Sequence, residues 1–206
     1  MCDIMKIMNG VNSIKEILNK ITNARKGKSG INTLNKIIQK MDDQKYEYIL
    51  YRLNKQIEIV KKYNPSVRPA IDPYVSSELG VYGGLSNIED YGALMNYPDC
   101  CVKSFETARF GIDAEHLKEA ELIKKEIKKE VINGKIGVKD KCAIILPSGF
   151  IPCSLKCKNA IERNLIDIVS YDEHINIIEL ENELGRELPH YHGAYDEYYE
   201  KIILLW

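Results

Sequence analysis

The sequence predicts a mainly α protein with a small β element (α+β), on three observations. Apolar residues recur at spacings of three and four through most of the 206 residues, as they do on amphipathic helices. One short apolar run, Cys142-Ala143-Ile144-Ile145-Leu146, lies between charged residues and Pro147-Ser148-Gly149 and reads as a strand. Prolines and glycines from Asn64 to Gly84 interrupt all periodicity. The expected architecture is therefore helical N-terminal hairpins at 1–64, an irregular linker or lid at 65–85, and a compact cysteine-containing domain at 86–206. A composition 45% hydrophobic and 29% charged is enough to bury a core, in a chain too short for several large domains.

The first helix carries Val11, Ile14, Ile17, Leu18 and Ile21 on one face and is expected to stop between Gly27 and Gly30. A second run places Ile31, Leu34, Ile37, Ile38 and Met41 on one stripe, continued by Tyr48, Ile49, Tyr51, Leu53, Ile57 and Val60 until Asn64-Pro65 ends it. Two or three helices in hairpin arrangement are expected there. Beyond the linker, Ile88, Tyr91, Leu94 and Met95 suggest a short helix, and Asp99 is placed to cap another running through Val102, Phe105 and Ala108. Asp113 heads a charged helix whose Leu117, Ala120, Ile123, Ile127 and Val131 face inward, with Asn133-Gly134 as its stop. After the strand, Phe150-Ile151-Pro152 is placed to return as a hairpin arm. Helical periodicity then resumes from Ser154 through Ile168 and again toward Trp206, with Tyr195, Tyr198, Tyr199 and Ile202 at helical spacing.

The formal net charge is −1, but residues 1–64 hold thirteen basic against six acidic side chains and residues 171–206 hold two against nine. Complementary ends of this kind are expected to pack on each other or on a second copy, and nucleic acid is the lesser alternative partner. No eighteen-residue apolar window occurs, and MCDIMKIMNG lacks the basic and apolar regions of an export leader. A cytoplasmic protein that does not cross a membrane is the expectation.

Four of the six cysteines fall into two tight groups, Tyr97-Pro98-Asp99-Cys100-Cys101 and Ile151-Pro152-Cys153-Ser154-Leu155-Lys156-Cys157. Each group follows a proline and opens a predicted helix, where free N–H groups and the positive end of the dipole favour thiolate, the form that binds metals. On a helix, Cys153 and Cys157 would lie one turn apart on one face, whereas the adjacent pair would diverge unless the backbone were non-helical there. Four converging thiolates match a tetrahedral zinc site or an iron–sulfur cluster, and the adjacent pair tilts the expectation toward the wider cluster. The alternatives are a metal-free thiol enzyme or dithiol redox protein, and an interaction module whose basic N-terminal helices bind nucleic acid or an acidic partner. Whether the protein is an enzyme stays open. Cys2 and Cys142 are expected to be core residues, as free cysteine often is.

The motif Tyr97-Pro98-x-Cys100-Cys101-Val102-x-x-Phe105, followed by Phe150-Ile151-Pro152-Cys153-Ser154-x-x-Cys157, resembles an uncharacterised prokaryotic family catalogued as domain of unknown function 483. The likeness spans roughly 74–170 and leaves 1–64 outside it. It implies that the two cysteine groups belong together and supplies no mechanism.

Among the remaining candidates, His190 and His192 flank Tyr191 and would share one side of an extended chain, placed to complete a metal site or to act as a general base. His116 and His174 sit among charged residues and are expected to face solvent. Gly27-Lys28-Ser29 lacks the upstream glycine and strand of a phosphate-binding loop, Thr22 standing where that glycine belongs. Glu181 and Glu183 have no apolar pocket about them and do not read as an acid–base pair.

Overall fold

Three helices form the N-terminal part: α1 (Asn9–Arg25), α2 (Asn32–Lys40) and α3 (Asp43–Tyr63). The computed structural model describes residues 9–80, 88–107, 114–190 and 197–205. Gly27 and Gly30, with φ of +69° and +65°, make the turn after α1 where the sequence places it. The long second run is two helices because the Asp42 carboxylate accepts the Lys45 N–H at 2.8 Å and starts α3 afresh. Its buried face is Tyr46, Ile49, Leu53, Ile59 and Val60, so Tyr48 and Tyr51, expected on that face, stand outside it.

Beyond Asn64, which ends α3 in the left-handed conformation, the chain runs through the interior. Pro65, Val67, Arg68, Ala70 and Ile71 are buried. The Arg68 N–H donates to the Asn164 carbonyl, the Ala70 N–H to that of Tyr198, and the Tyr199 hydroxyl to that of Val67. A short helix unforeseen in the sequence, α4 (Pro73–Glu78), follows, capped by the Asp72 carboxylate. Asp72 also meets the Arg52 guanidinium in two parallel bonds of 3.0 and 2.9 Å, both side chains being buried. Arg52 spends further donors on the Leu188 and Pro189 carbonyls, so this ion pair satisfies itself while joining α3 to the far end of the chain.

The second part comprises α5 (Ile88–Met95), α6 (Asp99–Thr107), α7 (Ala114–Ile132), β1 (Ala143–Pro147), α8 (Lys158–Glu162), β2 (Asp167–Val169), α9 (Tyr171–Glu187) and β3 (Tyr199–Ile203). The fold is mainly α with a small β element, as the sequence predicts, and the β element is one antiparallel sheet of order β2-β1-β3. β1 is buried at every residue, which is why it reads as an unbroken apolar run. Its partners differ from expectation. Residues 150–152 form no hairpin arm; Ala143 pairs with Val169 on one side and Ile203 on the other. Likewise 154–168 holds only the short α8 before β2, and Tyr198, Tyr199 and Ile202 belong to a strand region. Tyr198 and Tyr199 are fully buried, with their hydroxyls bonded to Asp72 and to the Val67 carbonyl. Tyr195, Cys2, His192 and the Asp113 cap lie outside the described residues.

Ala120, Ile123 and Ile127 of α7 are buried as predicted and Val131 packs against the core, while Leu117 is 54% exposed and His116 takes its inner place. His116 and His174, expected at the surface, are both buried. The charge asymmetry closes within the molecule in part. α9 packs on α3, with Glu183 accepting from Lys62 Nζ and the Tyr63 hydroxyl, both at 2.6 Å, and Glu173 accepting from the Ser66 N–H at 2.8 Å. No helix among the described residues is long and apolar enough to cross a membrane.

Candidate metal centre

Two chain segments bring four sulfur atoms together. The first is the α5–α6 corner. Gly92 lets the two helices touch, since a Cβ there would stand 2.5 Å from Val102 Cγ2. Asn96 turns the chain at φ +54°, and the Pro98 carbonyl, accepting from the Cys101 and Val102 N–H groups, starts α6. Pro98 thus takes the capping position expected of Asp99, which is the first residue of α6. Cys100 and Cys101 are both helical. They nevertheless lie 4.0 Å apart at sulfur, because side chains in a first turn lean past the helix N-terminus, where the second segment waits.

That second segment is a turn rather than the helix the sequence suggests. The Cys157 N–H donates to the Ser154 carbonyl at 3.0 Å, and Cys157 occupies the position before α8. The turn is pinned by α7. Glu119 accepts from the Ser154 hydroxyl at 2.5 Å and the Leu155 N–H at 2.7 Å, His116 Nε2 donates to the Pro152 carbonyl at 2.7 Å, and Lys156 reaches Glu126 at 3.0 Å. Nothing in the sequence ties these α7 residues to the cysteines; they sit in a helix that reads as generically charged.

Cys100 Sγ is 3.7 Å from Cys157 Sγ, and Cys101 Sγ is 3.8 Å from Cys157 Sγ and 3.9 Å from Cys153 Sγ. All four sulfurs lie within 4.8 Å of one another, and among the described residues no histidine or carboxylate joins them. The five described cysteines are free thiols. Four cysteines placed this closely are compatible with metal binding. A zinc ion with bonds of about 2.3 Å at the centre of a tetrahedron sets its sulfurs about 3.8 Å apart. Four of the six separations match that edge.

The surroundings differ between the four. Cys101 and Cys157 are buried, Cys100 is half-buried and Cys153 is exposed. The Asn159 amide, 3.6 Å from Cys100 Sγ, holds that thiol below its ordinary pKa. Burial raises the Cys101 thiol well above its ordinary range, and desolvation with neighbouring thiols pushes Cys153 up to about 11. Without a cation, then, four thiolates would not share this volume at neutral pH; a dication supplies the compensating charge.

Three cationic side chains steady the approach to the cysteine pair. Lys20 of α1 donates to the Ala93 and Leu94 carbonyls, Arg68 to that of Met95, and Arg163 to that of Asn96. They occupy the negative end of α5, where cations are favoured. Elsewhere, Cys142 is buried beside β1, and His190 contacts the Leu188 carbonyl and the edge of Tyr198 rather than the sulfurs. Glu181 accepts from the Tyr198 and Tyr199 N–H groups and Glu183 from α3, both holding structure.

Comparison with known proteins finds relatives over most of the chain. A protein of Methanocaldococcus jannaschii described as uncharacterized is 50% identical over 193 residues, covering 93% of this chain and 99% of its own. One of Methanothermobacter thermautotrophicus, also described as uncharacterized, is 46% identical over 192 residues, covering 93% of this chain and 97% of its own. The N-terminal helices, which the motif likeness leaves out, are for the most part inside these alignments, since 193 of 206 residues are covered. No solved structure matches the chain. The family described as "Protein of unknown function (DUF483)" matches residues 53–185, from within α3 to within α9 and across both cysteine segments, and the chain belongs to that family.

Proposed function

We propose that the protein binds a single metal ion, zinc first, through Cys100, Cys101, Cys153 and Cys157, and that the ion locks the α5–α6 corner to the 153–157 turn. The observation that carries this reading is that four of the six sulfur separations are 3.7 to 4.0 Å and all four atoms lie within 4.8 Å of one another. An iron–sulfur cube carries one thiolate on each of four irons and holds those sulfurs wider apart than one ion does. The spacing therefore favours a single ion over the cluster that the adjacent cysteines suggest. Four protein thiolates also fill a tetrahedron, leaving no open position for substrate, which is the arrangement of a structural rather than a catalytic zinc. A cytoplasmic location, where a reducing environment preserves thiolate ligands, belongs to this reading.

Metal analysis of protein purified without oxygen tests the reading. One zinc per chain with no acid-labile sulfide is expected, and Cys101→Ser should lose it. Cobalt substitution should give the absorption of a tetrahedral thiolate site. Iron with stoichiometric sulfide would restore the cluster. Metal-free protein in which Cys100 alkylates rapidly would support the thiol-enzyme reading instead.

A further inference from the structure

The four sulfurs are not equally reachable, and their pairing across the two segments has a chemical outcome. Cys153 is the exposed member of the group, on a turn at the protein surface, while Cys101 is 1% exposed and stands 3.9 Å behind it. The other two, Cys100 and Cys157, face each other at 3.7 Å. We infer that the centre is a target for hydroperoxides: Cys153 is the attacking thiolate, Cys101 resolves it, and the ion leaves as a disulfide joins the two segments. This rests on the metal-binding reading above.

The electron balance is simple. The Cys153 thiolate attacks one oxygen of hydrogen peroxide; the O–O bond breaks, an S–O bond forms and hydroxide departs, leaving a sulfenic acid. The Cys101 thiolate then attacks that sulfur, forming S–S, breaking S–O and releasing a second hydroxide. Two thiolates are oxidised by two electrons and one peroxide is reduced to two hydroxides. The ion, left with two ligands, is no longer held. A second peroxide can close Cys100 on Cys157 by the same steps.

Geometry disfavours a bond within the first segment. A disulfide needs its Cα atoms about 4.4 to 6.8 Å apart, whereas neighbours across a trans peptide stand about 3.8 Å apart, so Cys100 and Cys101 are poor partners for each other. Both cross-segment bonds would replace the tie that the ion provides. Oxidation would thus exchange a metal clamp for a covalent one and release zinc without opening the fold.

The test uses the full chain, prepared without oxygen and assayed for zinc first, so that metal-free protein is recognised as failure of the underlying reading. Hydrogen peroxide is then added while a chromophoric chelator records free zinc, and disulfides are mapped by mass spectrometry; trypsin cuts after Lys156 and separates Cys153 from Cys157. Zinc release in step with a Cys101–Cys153 link, and an unchanged far-ultraviolet circular dichroism spectrum, are expected. Cys153→His keeps a fourth ligand but removes the attacking thiolate, and should slow release at least about tenfold. A zinc-loaded chain that ignores peroxide, equal release from Cys153→His, or a first link other than Cys101–Cys153 overturns the inference.

Discussion

Glu119 shows how much of the centre depends on residues that never touch a sulfur. Its carboxylate takes the Ser154 hydroxyl and the Leu155 N–H of the turn between two cysteines. Glu119→Ala leaves both donors without that acceptor and should cost about 1 to 3 kcal/mol. Urea unfolding would report the loss, and zinc transfer to a chelator should quicken in the same variant. His174 carries a different consequence. Burial, with the Lys201 charge adding to it, holds its pKa below the ordinary value near 6.5. The folded state therefore binds the proton less readily than the unfolded one, so stability is full above about pH 6.5 and is lost as pH falls toward the depressed folded value. Thermal unfolding of His174→Gln against wild type between pH 7.5 and 5 should show a flatter acid limb in the variant. Neither histidine environment is legible in the sequence, since Glu115 beside His116 and Glu173 beside His174 suggest a wet surface. The cysteines are legible because two prolines and two pairs of thiols mark chain positions where little else has a reason to recur.

At the scale of elements, the α5–α6 corner is closely packed. Gly92 lies where any side chain would meet Val102, and the corner holds both Cys100 and Cys101 at its far end. Gly92→Ala should force the helices apart at a cost of about 1 to 3 kcal/mol, and a matching rise in the zinc dissociation constant would separate this effect from a purely local one. Helices were readable where stripe and stop agree, as at Gly27 and at Asn64-Pro65, whereas the fresh start at Asp42 was not read. β3 was not, because Tyr198, Tyr199 and Ile202 satisfy a helical spacing and a strand equally well in so short a window; only pairing with β1 decides between them. The 153–157 turn escaped for a related reason. Its four-residue spacing suits one helical turn, but the Ser154 carbonyl and Glu119 offer the backbone other partners.

For the molecule as a whole, the buried residues form one core that runs from Val11 to Leu204, and the four-cysteine group proposed to hold the ion lies between segments that core already holds. Removing the ion should therefore lower stability rather than unfold the chain. With free zinc about a hundredfold above its dissociation constant, binding contributes about 2.7 kcal/mol, so chelation should reduce Tm by about 5 to 10 °C. Calorimetry with and without a chelator checks this, and coincident melting curves would exclude a site that contributes to folding. The ends of opposite charge are legible in the sequence as a pattern. Their meeting through Lys62 and Glu183 is not, because it depends on how α3 and α9 cross.

β1 takes its two neighbours from far downstream, β2 beginning at Asp167 and β3 at Tyr199. During synthesis the central strand therefore leaves the ribosome well before the residues that will hydrogen-bond to its second edge. Until they arrive, five buried residues from Ala143 to Pro147 present an open, sticky margin. A message truncated before codon 199 would leave that margin permanently bare, and its product would be a substrate for chaperones and proteases.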